Sequence, residues 1–370
     1  MRASAVAGII FANTNDNLLS KLTSDRSMAS VPFGGRYRII DFTLSNLVNA
    51  GVSSVGLITK ENYRSLMDHI GSGVYWDLDR KNGGIYLLPP YLTRGMKRYT
   101  GTVDALMGAM NYIDRCGADY IVICNSDVIA NVDISAALES HISAEADITI
   151  VYSHGKMPHN NGATMQLKLD ENKKVKSVCF EESDEADFSI GVCVIQRQLL
   201  LNLISSAYDD DNTDINRDII AKMVKRLNIY GYEHKGFVAV LDGMNTYFNA
   251  NMQLLDYGVR AQLFDRKRPI FTKTRDDMPT RYGTKSSVNN CIVADGCVID
   301  GTVKNSILFR GVKVEKGAVV ENCILMQSTS VGGGAQLNNV ISDKNAVIGS
   351  DMILKGTAGK CFFVKKNQIL

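Results

Sequence analysis

Proline is scarce, with six in 370 residues, and no apolar run is long enough to span a bilayer. The longest opening run, from Ala3 to Ala12, has only Arg2 as a nearby positive charge and reads as a buried strand rather than a signal peptide. Neither sign of charge dominates: Lys+Arg 41 against Asp+Glu 39 leaves +2, so there is no global positive field for nucleic acid or an anionic membrane. The eight cysteines contain no C-x-x-C pair and lie scattered in apolar stretches, as reduced, buried thiols do, which predicts a cytoplasmic protein. What is present is a chain 45% apolar and 22% charged, longer than one core usually supports, so two domains of unequal size are expected.

The run Ala5 to Phe11 is continuously apolar and ends in the turn formers Asn13 to Asn17, as a strand buried on both faces and followed by a loop would. The pattern recurs at Val55–Thr59, at Tyr120–Cys124 before Asn125-Ser126-Asp127, and at Asp147–Tyr152. Helix-like spacing separates these strands, over Asp41 to Ala50 and Thr102 to Cys116. Alternating strands and helices predict an α/β domain with a mostly parallel sheet covered on both faces, functional residues gathering at the carboxyl ends of its strands.

From about Thr284 to Leu354, Pro, Tyr, Trp and His are absent, and Val, Ile and Leu recur among Gly, Asn, Asp and Lys. Asn290-Cys291-Ile292-Val293, Asn305-Ser306-Ile307-Leu308, Asn322-Cys323-Ile324-Leu325 and Asn338-Asn339-Val340-Ile341 mark successive repeats. A unit that short buries a face only by stacking on its neighbours, which predicts a parallel β-helix. A β-sandwich is the alternative, but Phe309 is the only aromatic residue in the region. Arg260 to Arg281 is locally basic. The expected domains are residues 1–265 (α/β), a basic linker at 266–283, and a β-helix at 284–370.

Val31-Pro32-Phe33-Gly34-Gly35-Arg36-Tyr37-Arg38-Ile39-Ile40-Asp41-Phe42 with Leu44-Ser45-Asn46 resembles bacterial glucose-1-phosphate adenylyltransferases. Asp68 to Gly73, Trp76 to Arg80, Leu88 to Tyr91 and Gly101-Thr102-Val103-Asp104-Ala105 are similar to further blocks of that family. The resemblance implies a nucleotidyltransferase domain followed by a left-handed β-helix. It also implies a reaction joining ATP and glucose 1-phosphate into ADP-glucose and pyrophosphate for glycogen synthesis. Such a transfer needs backbone donors and cations around the triphosphate and carboxylates for Mg²⁺, because charge develops on phosphate oxygens.

Against the family's motifs, the catalytic positions are largely replaced. Its phosphate loop, with three glycines and an arginine, corresponds to Asn13, Thr14, Asp16 and Leu18. Asp16 is expected to set a negative charge where the triphosphate belongs, a repulsion of roughly 4 kcal/mol at about 4 Å. Met28 and Ser183 stand where the family has phosphate-binding lysines, and Gly108 and Ala109 replace a Q-N pair. Asp127 matches the metal-binding Asp, and the second metal position falls on Asp242 or Val240 according to the alignment. Gly101, Thr102, Asp104, Gly162, Ser189 and Asp214 match substrate-pocket or scaffold positions. Arg26, Arg36 and Arg38 match the cations of the family's anionic effector site.

These losses and retentions imply a GlgD-type regulatory subunit with little or no activity alone, forming a heterotetramer with a catalytic subunit and answering to a small anionic metabolite. Mg²⁺ would be needed only if this chain is active, or in the catalytic partner. The alternatives are a slow but genuine sugar-phosphate nucleotidyltransferase using Asp127, Asp242 and Asp104, or a sugar-phosphate sensor without chemistry.

Overall fold

The computed structural model describes residues 6–90, 99, 101–158, 164–210, 212–357 and 359–370. The opening apolar run forms the strand Val6–Phe11, buried throughout. Because strand side chains alternate, Ala7, Ile9 and Phe11 enter one core while Val6 and Ile10 enter the core on the opposite face. Serving two cores requires a continuous apolar run and places this strand centrally. It pairs in parallel with Ser54–Ile58 and with Tyr120–Asn125, and Gly84–Leu88 extends the parallel set. Beyond Tyr120–Asn125 the sheet turns antiparallel through Glu185–Gln196, which pairs with Ile148–Lys156; that strand pairs in parallel with Ile229–Glu233.

Ile39–Asn49 and Ile134–Ser143 pack their apolar sides into one of these cores. The helix expected over 102–116 is two helices, Thr102–Gly108 and Met110–Arg115, meeting at Ala109. Tyr112 approaches the sheet so closely that a Cβ on Gly56 would lie 2.7 Å from its ring, so a side chain there would push the second helix away.

The repeats form three five-stranded parallel sheets, one per face of a β-helix, beginning at Arg281–Tyr282, slightly ahead of the expected boundary. Ile292, Ile307, Ile324 and Ile341 stack in register. The asparagines that open the repeats turn the corners: Asn290, Asn305, Asn322 and Asn339 all have positive φ, between 45° and 54°. Asparagine tolerates this left-handed conformation far better than branched residues, so the sequence period is a period of backbone corners. In the fourth repeat Asn339, the second of the pair, takes the corner.

Residues 266–280, expected as a linker, lie docked on the α/β domain. Arg268 donates to Asp133 at 2.7 Å, and the Phe271 N–H donates to Ser45 Oγ at 2.8 Å. The two domains also share one core, in which Phe33, Phe42 and Tyr247 pack with Ile307, Ile324 and Ile341. Each such fully buried side chain contributes about 1.5–3 kcal/mol, so this shared core stabilises the contact between the domains. All eight cysteines carry free thiols. Among the described residues no helix is long and apolar enough to cross a membrane.

Candidate functional site

A cavity of about 370 Å³ opens at the carboxyl ends of the parallel strands, where an α/β sheet places its ligands. Asn13, Thr14, Gly101, Thr102, Ser189 and Asp214 all line it, so residues scattered over 200 positions converge on one wall. Gly101 is required by packing: a Cβ there would sit 2.1 Å from the Thr213 carbonyl oxygen. Thr102 Oγ1 accepts the Ile215 N–H at 2.8 Å, tying the same two segments together. Asp104, in the first turn of the helix that follows, is not among the lining residues. Gly162 lies outside the described residues.

The loop after the first strand satisfies its own polar groups. Asn13 Nδ2 donates to Asp16 Oδ2 at 2.6 Å, and Asn13 Oδ1 accepts the Lys60 N–H at 2.8 Å. Asp16 Oδ1 accepts the Met28 N–H at 2.7 Å. Asp16 therefore turns inward and is not among the cavity-lining residues, contrary to the expectation that it points its charge at the triphosphate position. Burial raises its carboxyl above the usual range, against the two hydrogen bonds that lower it. Met28 is fully buried in the core shared with the β-helix, and neither it nor Leu18 lines the cavity. Ser183 Oγ donates to the Glu185 carbonyl at 3.1 Å and also stands apart from the cavity.

Asp127 follows the strand Tyr120–Asn125 and is 3% exposed. Its Oδ2 accepts from Asn15 Nδ2 at 2.7 Å, while its Oδ1 is buried with no hydrogen-bond partner. Asn15 reaches it from a left-handed backbone conformation, φ 55°. Burial pushes the Asp127 carboxyl up to about 6, the Asn15 bond only partly opposing this. Val240, one of the two residues that align with the second metal position, pairs with Val128 and packs against an apolar cluster. Asp242 stands just beyond that strand, where the Leu241 N–H donates to the Asp127 carbonyl at 2.8 Å.

Oδ2 of Asp127 is held by the Asn15 amide, which leaves Oδ1, a buried carboxylate oxygen without a partner, as the atom that could face a cation such as Mg²⁺. Among the described residues no group of three or more His, Cys, Asp or Glu could hold a metal.

Sequence reasoning did not single out Asn15, Lys60 or Arg217, all of which line the cavity. Lys60 follows a strand end and was accessible to that rule. Arg217, whose guanidinium lies 4.3 Å from the centroid of the Phe180 ring, depends on a tertiary contact.

A second, small cleft lies where the α/β domain, the 266–280 segment and the β-helix meet. Arg36 and Arg38 line it, joined by Lys273, Arg275, Arg310 and Lys344. Burial lowers Arg38 to about 10, and its Nη1 donates to Ser65 Oγ at 2.9 Å. His69, also at the cleft, bonds the fully buried Asp41 at 2.6 Å; burial lowers its pKa in spite of that partner.

Arg26 departs from the expected grouping with Arg36 and Arg38. It is 3% exposed and makes a two-pronged bond to Asp343 of the β-helix at 2.9 and 2.8 Å, and it does not line the cleft. A buried guanidinium must be paired, and Asp343 is the group that pairs it.

Residues 7–240 match the nucleotidyl transferase family model, and residues 276–357 match the model described as GlmU-like, C-terminal hexapeptide. The chain is 36% identical to the glycogen biosynthesis protein GlgD of Bacillus subtilis, over 98% of this chain and 96% of that protein. It is 38% identical to GlgD of Geobacillus stearothermophilus over the same shares. Glucose-1-phosphate adenylyltransferase of Geobacillus stearothermophilus is 33% identical, over 87% of this chain and 84% of that one. With the nucleotidyltransferase sheet, the left-handed β-helix and this similarity over nearly its whole length, the chain belongs to the glucose-1-phosphate adenylyltransferase and GlgD family.

Proposed function

We propose that this chain acts in glycogen biosynthesis as a regulatory subunit, with little or no nucleotidyl transfer of its own. It assembles with a catalytic glucose-1-phosphate adenylyltransferase subunit into a heterotetramer and changes that subunit's rate or its response to effectors. The observation that carries this reading is the self-satisfied loop. Asn13, Asn15 and Asp16 spend their hydrogen-bonding capacity on one another, on Met28 and on Asp127, where a triphosphate would require open backbone donors and cations. The junction cleft supports the effector half of the reading, because Arg36 and Arg38 gather further cations from two distant segments there. A small anionic metabolite would bridge them and favour one arrangement of the assembly.

The test is pyrophosphate release from ATP and glucose 1-phosphate, measured for this chain alone, for a catalytic subunit alone and for the two mixed. The expected result is negligible turnover by this chain and altered turnover or effector response in the mixture. Robust activity of the isolated chain, abolished by Asp127→Ala, would overturn the proposal in favour of a working enzyme.

A further inference from the structure

The junction cleft holds more positive charge than its carboxylates balance. From the α/β domain come Arg36 and Arg38, from the 266–280 segment Lys273 and Arg275, and from the β-helix Arg310 and Lys344. The carboxylates nearby are already committed. Asp343 is held by Arg26 and by the backbone N–H of Lys344 at 2.7 Å. Asp277 pairs with Arg310 at 3.4 Å. Asp41 takes His69 and the Arg38 N–H. Lys273 is bound to the carbonyl of Asp68, whose carboxylate faces Arg38 electrostatically. Among the described residues, Arg36, Arg275 and Lys344 make no ion pair with a carboxylate.

Such a cluster can relieve its repulsion in two ways, by binding an anion or by losing a proton. Arginine does not lose a proton in proteins, whereas a crowded, half-buried lysine does so readily. Burial, followed by the charges of Arg38 and Arg26 and, more weakly, Arg275, pushes Lys344 down to about 7 against the opposing charge of Asp343. Lys344 lines the same cleft as the arginines that an anion would bridge.

We propose that an anion entering this cleft binds together with one proton, taken from solvent by the Lys344 amine, so that occupancy of the site is linked to pH through a lysine of the β-helix. The bound anion supplies the counter-charge the ammonium lacks; the neutral amine becomes –NH₃⁺ and nothing else changes covalently. The inference rests on reading the cleft as an anion site, and it adds that the site is stoichiometrically coupled to a proton. Tyr37, His69 and Lys273 are the other titratable groups lining the cleft besides the arginines: burial raises Tyr37, Lys273 is held by the Asp68 carbonyl, and the hydrogen bond of His69 to Asp41 sets it apart from Lys344.

Sulfate is a suitable probe because it remains a dianion from pH 6 to 9, so any proton taken up belongs to the protein. Isothermal titration of the full chain with sulfate at pH 7.5, in two buffers of different ionisation enthalpy, is expected to report uptake of roughly 0.7 proton per sulfate bound. Affinity is expected to fall about 20-fold from pH 6.5 to pH 8.5. Lys344→Arg keeps the charge but cannot titrate in this range, so it should bind sulfate with no proton uptake and little pH dependence. His69→Gln should retain both effects, and Arg275→Ser should weaken binding at every pH, locating the sulfate in the cleft. Sulfate binding without proton uptake, or uptake that survives in Lys344→Arg and vanishes in His69→Gln, would overturn the coupling while leaving the cleft as an anion site. No binding at any pH, or binding indifferent to Arg275→Ser, would overturn the anion-site reading and the coupling with it.

Discussion

Arg26 and Asp343 form a buried ion pair between the loop region of the α/β domain and the β-helix, with both side chains at most 5% exposed. Removing one partner leaves the other as an uncompensated buried charge, which costs about 3–5 kcal/mol, whereas replacing both with apolar residues of similar volume is close to neutral. Arg26→Met and Asp343→Leu are therefore each expected to destabilise the protein by about 4 kcal/mol. With an unfolding entropy of about 2.1 cal/mol/K per residue, that amounts to a fall in Tm of about 5 °C. The double variant is expected to recover most of the loss, with a coupling of at least about 2 kcal/mol. Thermal and urea unfolding of the four proteins completes the cycle. Single variants costing under about 1 kcal/mol, or a double variant costing the sum of the two, would refute the assignment of Arg26 as an inter-domain anchor. Sulfate binding in the cleft should persist in the double variant, because Arg26 does not line it.

Asp127 is buried with its carboxyl raised from 3.8 to about 6. The cost of ionising it in the folded state is absent near pH 4, grows between pH 4 and 6, and is complete above that, at about 3 kcal/mol. Asp127→Asn should consequently stabilise the protein at pH 7.5 and not at pH 4, as measured by urea unfolding in the presence of a chelator; equal differences at the two pH values would contradict this. Asn15→Ala removes the donor to that carboxylate and should cost about 2 kcal/mol at pH 7.5, read from the shift in urea midpoint. At the β-helix corner Asn322, φ 51°, substitution by Ala should cost about 1 kcal/mol and substitution by Gly close to nothing, a difference visible in Tm.

The parts of the fold visible in the sequence are those with local causes. A strand feeding two cores must be continuously apolar, so Val6–Phe11 announces itself, and a corner that needs positive φ selects asparagine, so the β-helix coils are spelled out at Asn290, Asn305 and Asn322. The departure of Asn13 to Leu18 from the family's glycine-rich loop was legible only through the resemblance, which compares local residue types. The orientation of Asp16 was not. Residue type places a carboxylate in the loop, but the Met28 N–H and the Asn13 amide decide that it turns inward.

Long-range pairing set the remaining chemistry. The family resemblance groups Arg26 with Arg36 and Arg38, yet its partner lies 317 residues away, and burial between two domains compels a guanidinium to take the carboxylate it meets there. Arg310 and Lys344 carry no local mark of an anion site; they join Arg36, Arg38 and Arg275 only because the β-helix packs back on the α/β domain through Ile307, Ile324 and Ile341. Composition and periodicity thus determined the two architectures, because those follow from backbone geometry and side-chain alternation within a few residues, whereas the replaced phosphate loop was read only from the family resemblance. Which charges face one another was decided by the tertiary structure, because electrostatic energy depends on distance and desolvation, and neither exists until the chain has folded.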